Sequence, residues 1–188
     1  TTGAINTAVG NASLDANTEG SNNVAVGDNA LGANTTASNN TAIGKSSLEA
    51  NTTGASNTAI GHNASKNTTT ASNNTVVGKD ALEENTTGAG NTAVGKDALQ
   101  TNTTASNNTA IGLEALHLNT TGDRNVAVGS LALDANTTAD GNTAVGYAAL
   151  SANTTSELST GVGFQALRLN TGANNTAVGG LALDQNTT

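Results

Sequence analysis

Side chains able to do acid–base or metal chemistry are few in this sequence and do not cluster. His62 and His117 occur at different positions of the repeat described below, so we expect them on different edges of the fold. Lys79-Asp80 and Lys96-Asp97 join opposite charges, which predicts solvated charge pairs rather than a cation site. Gly161-Val162-Gly163 is a variant of the same repeat and not a phosphate-binding loop. We therefore predict no catalytic residue, no cofactor and no metal site.

The composition is far from that of an ordinary globular domain. The 188 residues include 33 Thr, 29 Asn and 22 Gly, one Tyr and one Phe, and no Pro, Cys, Met or Trp. A net charge of −8 argues against binding to nucleic acid or to an anionic membrane. No apolar run approaches the ~20 residues that span a bilayer, so we expect no membrane insertion of this segment.

A tandem repeat runs through the whole chain. Its unit is N-T-A-V-G-x-x-A-L-x-x-N-T-T-G-x-x, whose positions we number one to seventeen. The first nine intervals between copies are 17 residues long and the tenth is 16. We therefore treat residues 1–188 as a single repeat array, with turns one to eleven starting at residues 6, 23, 40, 57, 74, 91, 108, 125, 142, 159 and 175.

Positions four and five are the most regular part of the repeat. Position four is Val or Ile and position five is Gly in all eleven copies, while position nine is Leu in ten copies and Ser65 in the fourth. Spacing kept this strictly is typical of packed strands. The predicted structural ladder consists of Val9 and Gly10, Val26 and Gly27, Ile43 and Gly44, Ile60 and Gly61, Val77 and Gly78, Val94 and Gly95, Ile111 and Gly112, Val128 and Gly129, Val145 and Gly146, Val162 and Gly163, and Val178 and Gly179.

The repeat predicts an all-β fold, a parallel β-solenoid of eleven turns. Short stretches with a β-branched residue, separated by Gly and by Asn/Thr clusters, are typical of short strands joined by tight corners. Each residue would then stack on its copy in the next turn, about 4.8 Å away. Gly at position five would allow a positive φ or close backbone packing at a corner. Asn at positions one and twelve would hydrogen-bond its own kind along the stack.

Two irregularities fall around the Asn-Thr-Thr segment, which we therefore predict to be a corner that absorbs changes in length. In turn four, the alignment suggests one residue missing before Asn67 and one gained in Thr68-Thr69-Thr70. In turn ten, Asn170-Thr171-Gly172 has lost one Thr.

Both faces of the short strand are apolar, one with large and one with small side chains. Positions three and four are adjacent and point to opposite faces; position three is Ala in nine copies, Val76 in one and Gly161 in another. We expect the large side chains at positions four and nine to fill the interior, and the Ala column to lie against a neighbouring chain. Burial within one turn is small against the cost of ordering it, which also favours a shared interface.

The string Asn57-Thr58-Ala59-Ile60-Gly61, with Ala64 three residues on, resembles the head-domain repeat of trimeric autotransporter adhesins. That resemblance implies a left-handed parallel β-roll, three chains wide. The unit from Asn91 to Thr104 is similar to repeats of tail-fibre-type proteins that end in an endosialidase-type self-cleaving chaperone domain. The resemblance covers the whole chain, but such repeats are shafts and heads that serve many ligands.

Fifteen Asn-x-Ser/Thr sequons leave open whether the chain carries glycans. Asn-Thr-Thr is also ordinary corner chemistry, which creates sequons by chance. The candidate glycosylation sites are Asn34, Asn51, Asn85, Asn102, Asn119, Asn136 and Asn153. Columns of Thr also raise ice binding as a minor alternative, although adjacent Thr residues point to opposite sides of a strand.

One group of apolar residues does not follow the repeat. Position six carries Leu113, Tyr147 and Phe164 in the later turns, and we treat these three as a possible contact patch for another chain, a carbohydrate or a host surface. The alternative is neutral drift on an outer face. Earlier turns carry Asp28, Lys45, His62, Lys79 and Lys96 at this position, and further leucines cluster late, at Leu118, Leu131, Leu158, Leu169 and Leu181.

These patterns favour a structural segment, shaft or head, of an extracellular, cell-surface or virion fibre that has no enzymatic activity. The chain opens and closes in phase with the repeat and lacks an atypical capping turn, as expected of a segment of a longer fibre. The expected partner is the chain itself, in a homotrimer or an end-to-end filament. The alternative is a viral tail-fibre or adhesin head that binds a surface receptor or carbohydrate.

Overall fold

The computed structural model describes residues 2–187 as a parallel β-solenoid built on one sheet of eleven strands. The sheet order follows the chain from β1 to β11, and no helix occurs in the described range. Each strand occupies positions two to four of one repeat, so the predicted fold is confirmed. The strands are β1 Thr7–Val9, β2 Val24–Val26, β3 Thr41–Ile43, β4 Thr58–Ile60, β5 Thr75–Val77, β6 Thr92–Val94, β7 Thr109–Ile111, β8 Val126–Val128, β9 Thr143–Val145, β10 Thr160–Val162 and β11 Thr176–Val178.

Every strand pairs in register with its copy in the next turn. Ala93 lies opposite Ala110 and Val94 opposite Ile111, so equal positions form continuous columns along the solenoid. The shortened tenth turn keeps this register, because Thr160 still pairs with Thr176. A change in the corner therefore leaves the sheet undisturbed.

The Gly that recurs at position five has both of the expected features, a positive φ and close backbone packing. Its φ lies between 130° and 146° in all eleven turns, a region that side chains with a Cβ rarely adopt. A Cβ on Gly61 would also lie 2.3 Å from the carbonyl oxygen of Gly78 in the next turn. Close backbone stacking and the left-handed bend thus both exclude larger residues.

Further left-handed bends occur at residues that are not Gly. Leu99 at position nine has a φ of 53° and Asp97 at position seven a φ of 57°, and both positions repeat this conformation along the chain. Positive φ is uncommon for residues other than Gly. Because the chain turns at both positions, Ala98 and Leu99 both point into the interior although they are neighbours.

The expected directions of positions three and four were wrong. Ala110 is fully buried, whereas Ile111 beside it is 39% exposed, so the Ala column lines the interior and the Val/Ile column lies outside. Space decides this orientation. A Cβ on Gly161, at position three, would lie 3.3 Å from Cγ of Leu150, at position nine of the preceding turn. Leu already fills the interior, and only a small side chain fits opposite it.

Buried asparagines form hydrogen bonds on the other side of the interior. The amide nitrogens of Asn91 and Asn102 both donate to the carbonyl oxygen of Ala105, at 2.8 Å and 3.0 Å. Asn102 also donates to the side-chain oxygen of Asn85 in the turn before, at 2.9 Å. Position twelve thus forms the predicted amide ladder. At position one, in contrast, the side-chain oxygen of Asn91 accepts from the backbone N–H of Asn108.

Turn four contains substitutions rather than the expected missing and added residues. Thr68 takes the place of the position-twelve Asn, and its hydroxyl lies 2.6 Å from that of Ser65, which replaces the core Leu. By the repeat, Val76 at position three of turn five faces Ser65, so two extra methyl groups occupy part of the space that Leu would fill. In turn ten the loss of a residue is real, and Asn170 reaches the carbonyl of Gly172 only two residues on.

Candidate functional site

The outer face of the sheet is an uncharged surface that runs the length of the solenoid. We define the outer sheet face as the side chains at positions two and four of β1–β11. Position two is Thr in nine turns and Val in two, and position four is Val or Ile in all eleven. Most of these side chains are half-buried or exposed, and none carries a charge. Such a surface offers a partner two columns of methyl groups and one of hydroxyls.

Outward-pointing residues continue on both flanks of the strand. Around β10, Leu158, Thr160, Val162 and Phe164 alternate with buried or glycine residues and all reach the surface. Leu158 is 59% exposed and Phe164 is 52% exposed. The outward set therefore comprises positions seventeen, two, four and six, and is wider than the three-residue strand.

The structure brings together two of the three residues of the predicted contact patch. The rings of Tyr147 and Phe164 stack with their centroids 5.5 Å apart and their planes 14° from parallel. Tyr147 and Leu113 are similarly exposed, at 47% and 45%. Leu113, however, lies two turns before Tyr147, with Ser130 at the same position between them.

The same column carries charge in the early turns. Lys79 pairs with Asp80, and Lys96 with Asp97, as predicted, but the pairs are not fully solvated, because the Asp80 and Asp97 side chains are only 11% and 12% exposed. Burial raises the pKa of the Asp80 carboxyl, but hydrogen bonds from Lys79 and Asn63 outweigh it and hold this pKa below its ordinary value. The charged residues of this column thus all lie in the early turns, and its large apolar residues all lie in the later ones.

The two histidines do not form a common site. Nδ1 of His62 lies 3.6 Å from the Asp80 carboxylate, and Nδ1 of His117 lies 3.2 Å from the backbone oxygen of Asp97. Within residues 2–187, no group of three or more His, Asp or Glu side chains is placed to hold a metal ion. No helix long and apolar enough to cross a membrane occurs in that range either.

The candidate glycosylation sites lie inside the solenoid. A glycan requires a free amide nitrogen, but these nitrogens donate to carbonyl oxygens at position fifteen, as Asn119 does to Gly122 at 2.9 Å. The folded chain therefore leaves no room for a sugar at position twelve. All seven candidate glycosylation sites are fully buried: Asn34, Asn51, Asn85, Asn102, Asn119, Asn136 and Asn153.

Comparison with known proteins adds no second line of argument. No family model, no curated protein and no solved structure matches this chain.

Sequence reasoning misplaced the main functional candidate, because it put the Val/Ile column inside. A signal for the correct direction was present in the repeat. Leu at position nine already supplies a large interior side chain in ten turns, and a second large residue in the same narrow turn would not fit beside it.

Proposed function

We propose that this chain is a structural segment of an extracellular fibre, in which copies of the chain associate side by side through the outer sheet face. The observation that carries the proposal is the unbroken column of Val and Ile outside an interior that Ala and Leu already fill. A monomer gains little from such residues at half-exposed positions. A second layer of protein would bury them.

The outer sheet face, taken together with the flanking outward positions seventeen and six, is large enough for a stable interface. Eleven strands at about 4.8 Å spacing give a length of roughly 50 Å, and four outward positions at about 6.6 Å give a width of roughly 20 Å. The resulting area of about 1,000 Å² per chain exceeds the ~800 Å² that each partner contributes to a typical stable complex.

The repeat makes this interface suited to a shaft. Because positions two and four carry nearly the same side chains in every turn, all turns contribute to association, and the affinity rises with length. Three chains around one axis is the arrangement implied by the resemblance to adhesin head repeats, and the number of chains rests on that resemblance.

The experiment is a pair of charge insertions in the same two turns. Val94→Lys with Ile111→Lys places two charges on the outer sheet face, and Thr104→Lys with Thr121→Lys places them at exposed positions on another side. We expect oligomers for the wild-type chain and the Thr variant, and monomers with an unchanged β-type circular dichroism spectrum for the Val/Ile variant. Sedimentation velocity measures the outcome, and a monomeric wild-type chain would contradict the proposal.

Ice binding is the competing function for the same face. On the regular parallel sheet, Thr at position two and the β-branched residue at position four point to the same side. The adjacent Thr pairs of the corner lack this alternating arrangement. A wild-type chain that stays monomeric and lowers the freezing point below the melting point would replace the fibre proposal with this one.

A further inference from the structure

We propose that self-association is strongest in turns nine and ten, where a late apolar patch binds a second copy of the chain. We define this patch as Tyr147, Leu158 and Phe164 together with Val145 and Val162 of the outer sheet face. The inference rests on the proposed function, and goes beyond it by assigning the strongest part of the interface to particular residues.

The chain places its only two aromatic residues in this patch. The sequence contains one Tyr and one Phe, and neither enters the core, since about half of each side chain is exposed. The two rings instead stack on one another across neighbouring turns. Aromatic residues are enriched in protein interfaces relative to the rest of the surface, and Tyr is among the residue types that contribute most of their binding energy.

The opposite flank of the strand is apolar at the same height. Leu158 is more exposed than either ring. A Cβ on Gly141, one turn earlier, would lie 2.9 Å from Cδ2 of Leu158, so the leucine side chain lies over the bare glycine backbone. The patch therefore runs across the full width of the outward surface, from Leu158 through Val162 to Phe164.

The patch is a local concentration of apolar surface within a longer face. Two to three turns at about 4.8 Å and a width of roughly 20 Å give about 200–300 Å², at the lower edge of the ~300–600 Å² of the largest apolar patch on an ordinary soluble monomer. In the early turns the same column holds Lys79 and Lys96 with their carboxylate partners. Covering those ion pairs would remove their hydration, which offsets the attraction between copies.

A second copy of the chain is the occupant because the patch is continuous with the outer sheet face. Leu158, Val162 and Phe164 belong to one alternating outward series, so a partner that covers the strand also meets the ring and the leucine. No charged side chain interrupts this series in turns nine and ten. A partner as apolar as the patch itself is thereby favoured.

The experiment compares matched double variants of position six in the full chain. Tyr147→Ser with Phe164→Ser removes both rings. Serine is tolerated at position six, since Ser130 already occupies it in turn eight. Lys79→Ser with Lys96→Ser makes the same change in two adjacent early turns. We expect the ring variant to raise the dissociation constant for self-association by about tenfold or more. The lysine variant removes charges that association would dehydrate, so we expect it not to raise the dissociation constant.

Sedimentation equilibrium gives the dissociation constants, and circular dichroism melting confirms that both variants stay folded. Equal effects of the two variants, or no effect of the ring variant, would overturn the inference. If Val94→Lys with Ile111→Lys dissociates the chains while the ring variant does not, the fibre proposal survives and this inference fails. An intact oligomer with loss of binding to a glycan array would assign the rings to carbohydrate instead.

Discussion

The inner and outer faces of the eleven-stranded sheet have opposite preferences for side-chain size. The inner column is nearly all Ala and is fully buried in most turns, whereas the outer column is Val or Ile and remains partly exposed. In an ordinary domain the larger apolar residue would be the buried one. The reversal shows that space, not hydrophobicity, limits what enters a turn of 17 residues. The large apolar residues left outside each turn are the basis of the proposed interface between copies.

The largest effect is expected when a large residue is forced inward. By the repeat, Ala93 faces Leu82, and Ala93→Leu adds three carbon atoms where position three is within contact distance of the neighbouring Leu. We expect a loss of about 3 kcal/mol or more in the free energy of unfolding, because a filled core cannot absorb the added volume. Val94→Leu, on the outer face of the same strand, should cost less than about 1 kcal/mol. Urea titration of both variants under monomeric conditions measures the difference, and equal losses would contradict the assignment of inner and outer faces.

A smaller effect is expected from restoring the consensus to the interior of turn four. Thr68 interrupts the amide ladder, and the side-chain oxygen of Asn51 is left buried without a hydrogen-bond partner. The triple change Ser65→Leu, Thr68→Asn and Val76→Ala should raise the free energy of unfolding by about 2 kcal/mol, because it repairs the ladder and refills the core.

The single change Ser65→Leu is the control for that experiment. With Val76 still in place the added leucine overfills the site, and we expect a net loss of roughly 1 kcal/mol or more. Thermal melting of the single and triple variants measures their coupling. Strict additivity of the three substitutions would show that Ser65 and Val76 do not share one space.

The smallest effect concerns a carboxylate at the edge of the interior. Burial raises the pKa of Asp134, and one of its oxygens has no hydrogen-bond partner. Because the pKa of Asp134 is raised in the folded state, the ionised carboxylate lowers the free energy of unfolding at pH values above this pKa. This loss of stability disappears as the pH falls below the ordinary pKa of an Asp side chain. Asp134→Asn should therefore stabilise the chain at pH 7, by less than about 1 kcal/mol since solvent screens a half-buried group.

The matched control is Asp15→Asn, at the same position of turn one but exposed. At each pH we expect the Asp15→Asn variant to melt at nearly the same temperature as the wild-type chain. A stabilising effect of Asp134→Asn that persists at pH 3 would show that the gain does not come from removing the buried charge.

Much of the fold could be predicted because the repeat itself encodes the stacking. Gly at position five has the same structural role in all eleven turns, and Leu at position nine and Asn at position twelve occur in every turn but the fourth. The replacements in turn four could not be interpreted this way. Ser65, Thr68 and Val76 compensate for one another across two turns, and alignment of the copies gave only an apparent gap.

The candidate site was predicted less well for a related reason. Leu113, Tyr147 and Phe164 were recognised as exceptions to the repeat, but their distances along the chain do not tell which of them touch. The structure stacks Tyr147 on Phe164 and adds Leu158 from the far flank of the strand. These contacts depend on which side chains share the outward surface.

The sequence by itself determined the period, the parallel register and the positions of the corners, because each follows from residues that recur at equal spacing and from the conformations that Gly and Asn favour. Only the tertiary structure decided which apolar column lies inside. Adjacent residues of a strand point to opposite faces whatever their size, and left-handed bends at Leu99 and its equivalents turn that leucine inward. Once leucine fills the turn, the strand can present only its smaller residue to the interior, and Val and Ile are left for the outer face.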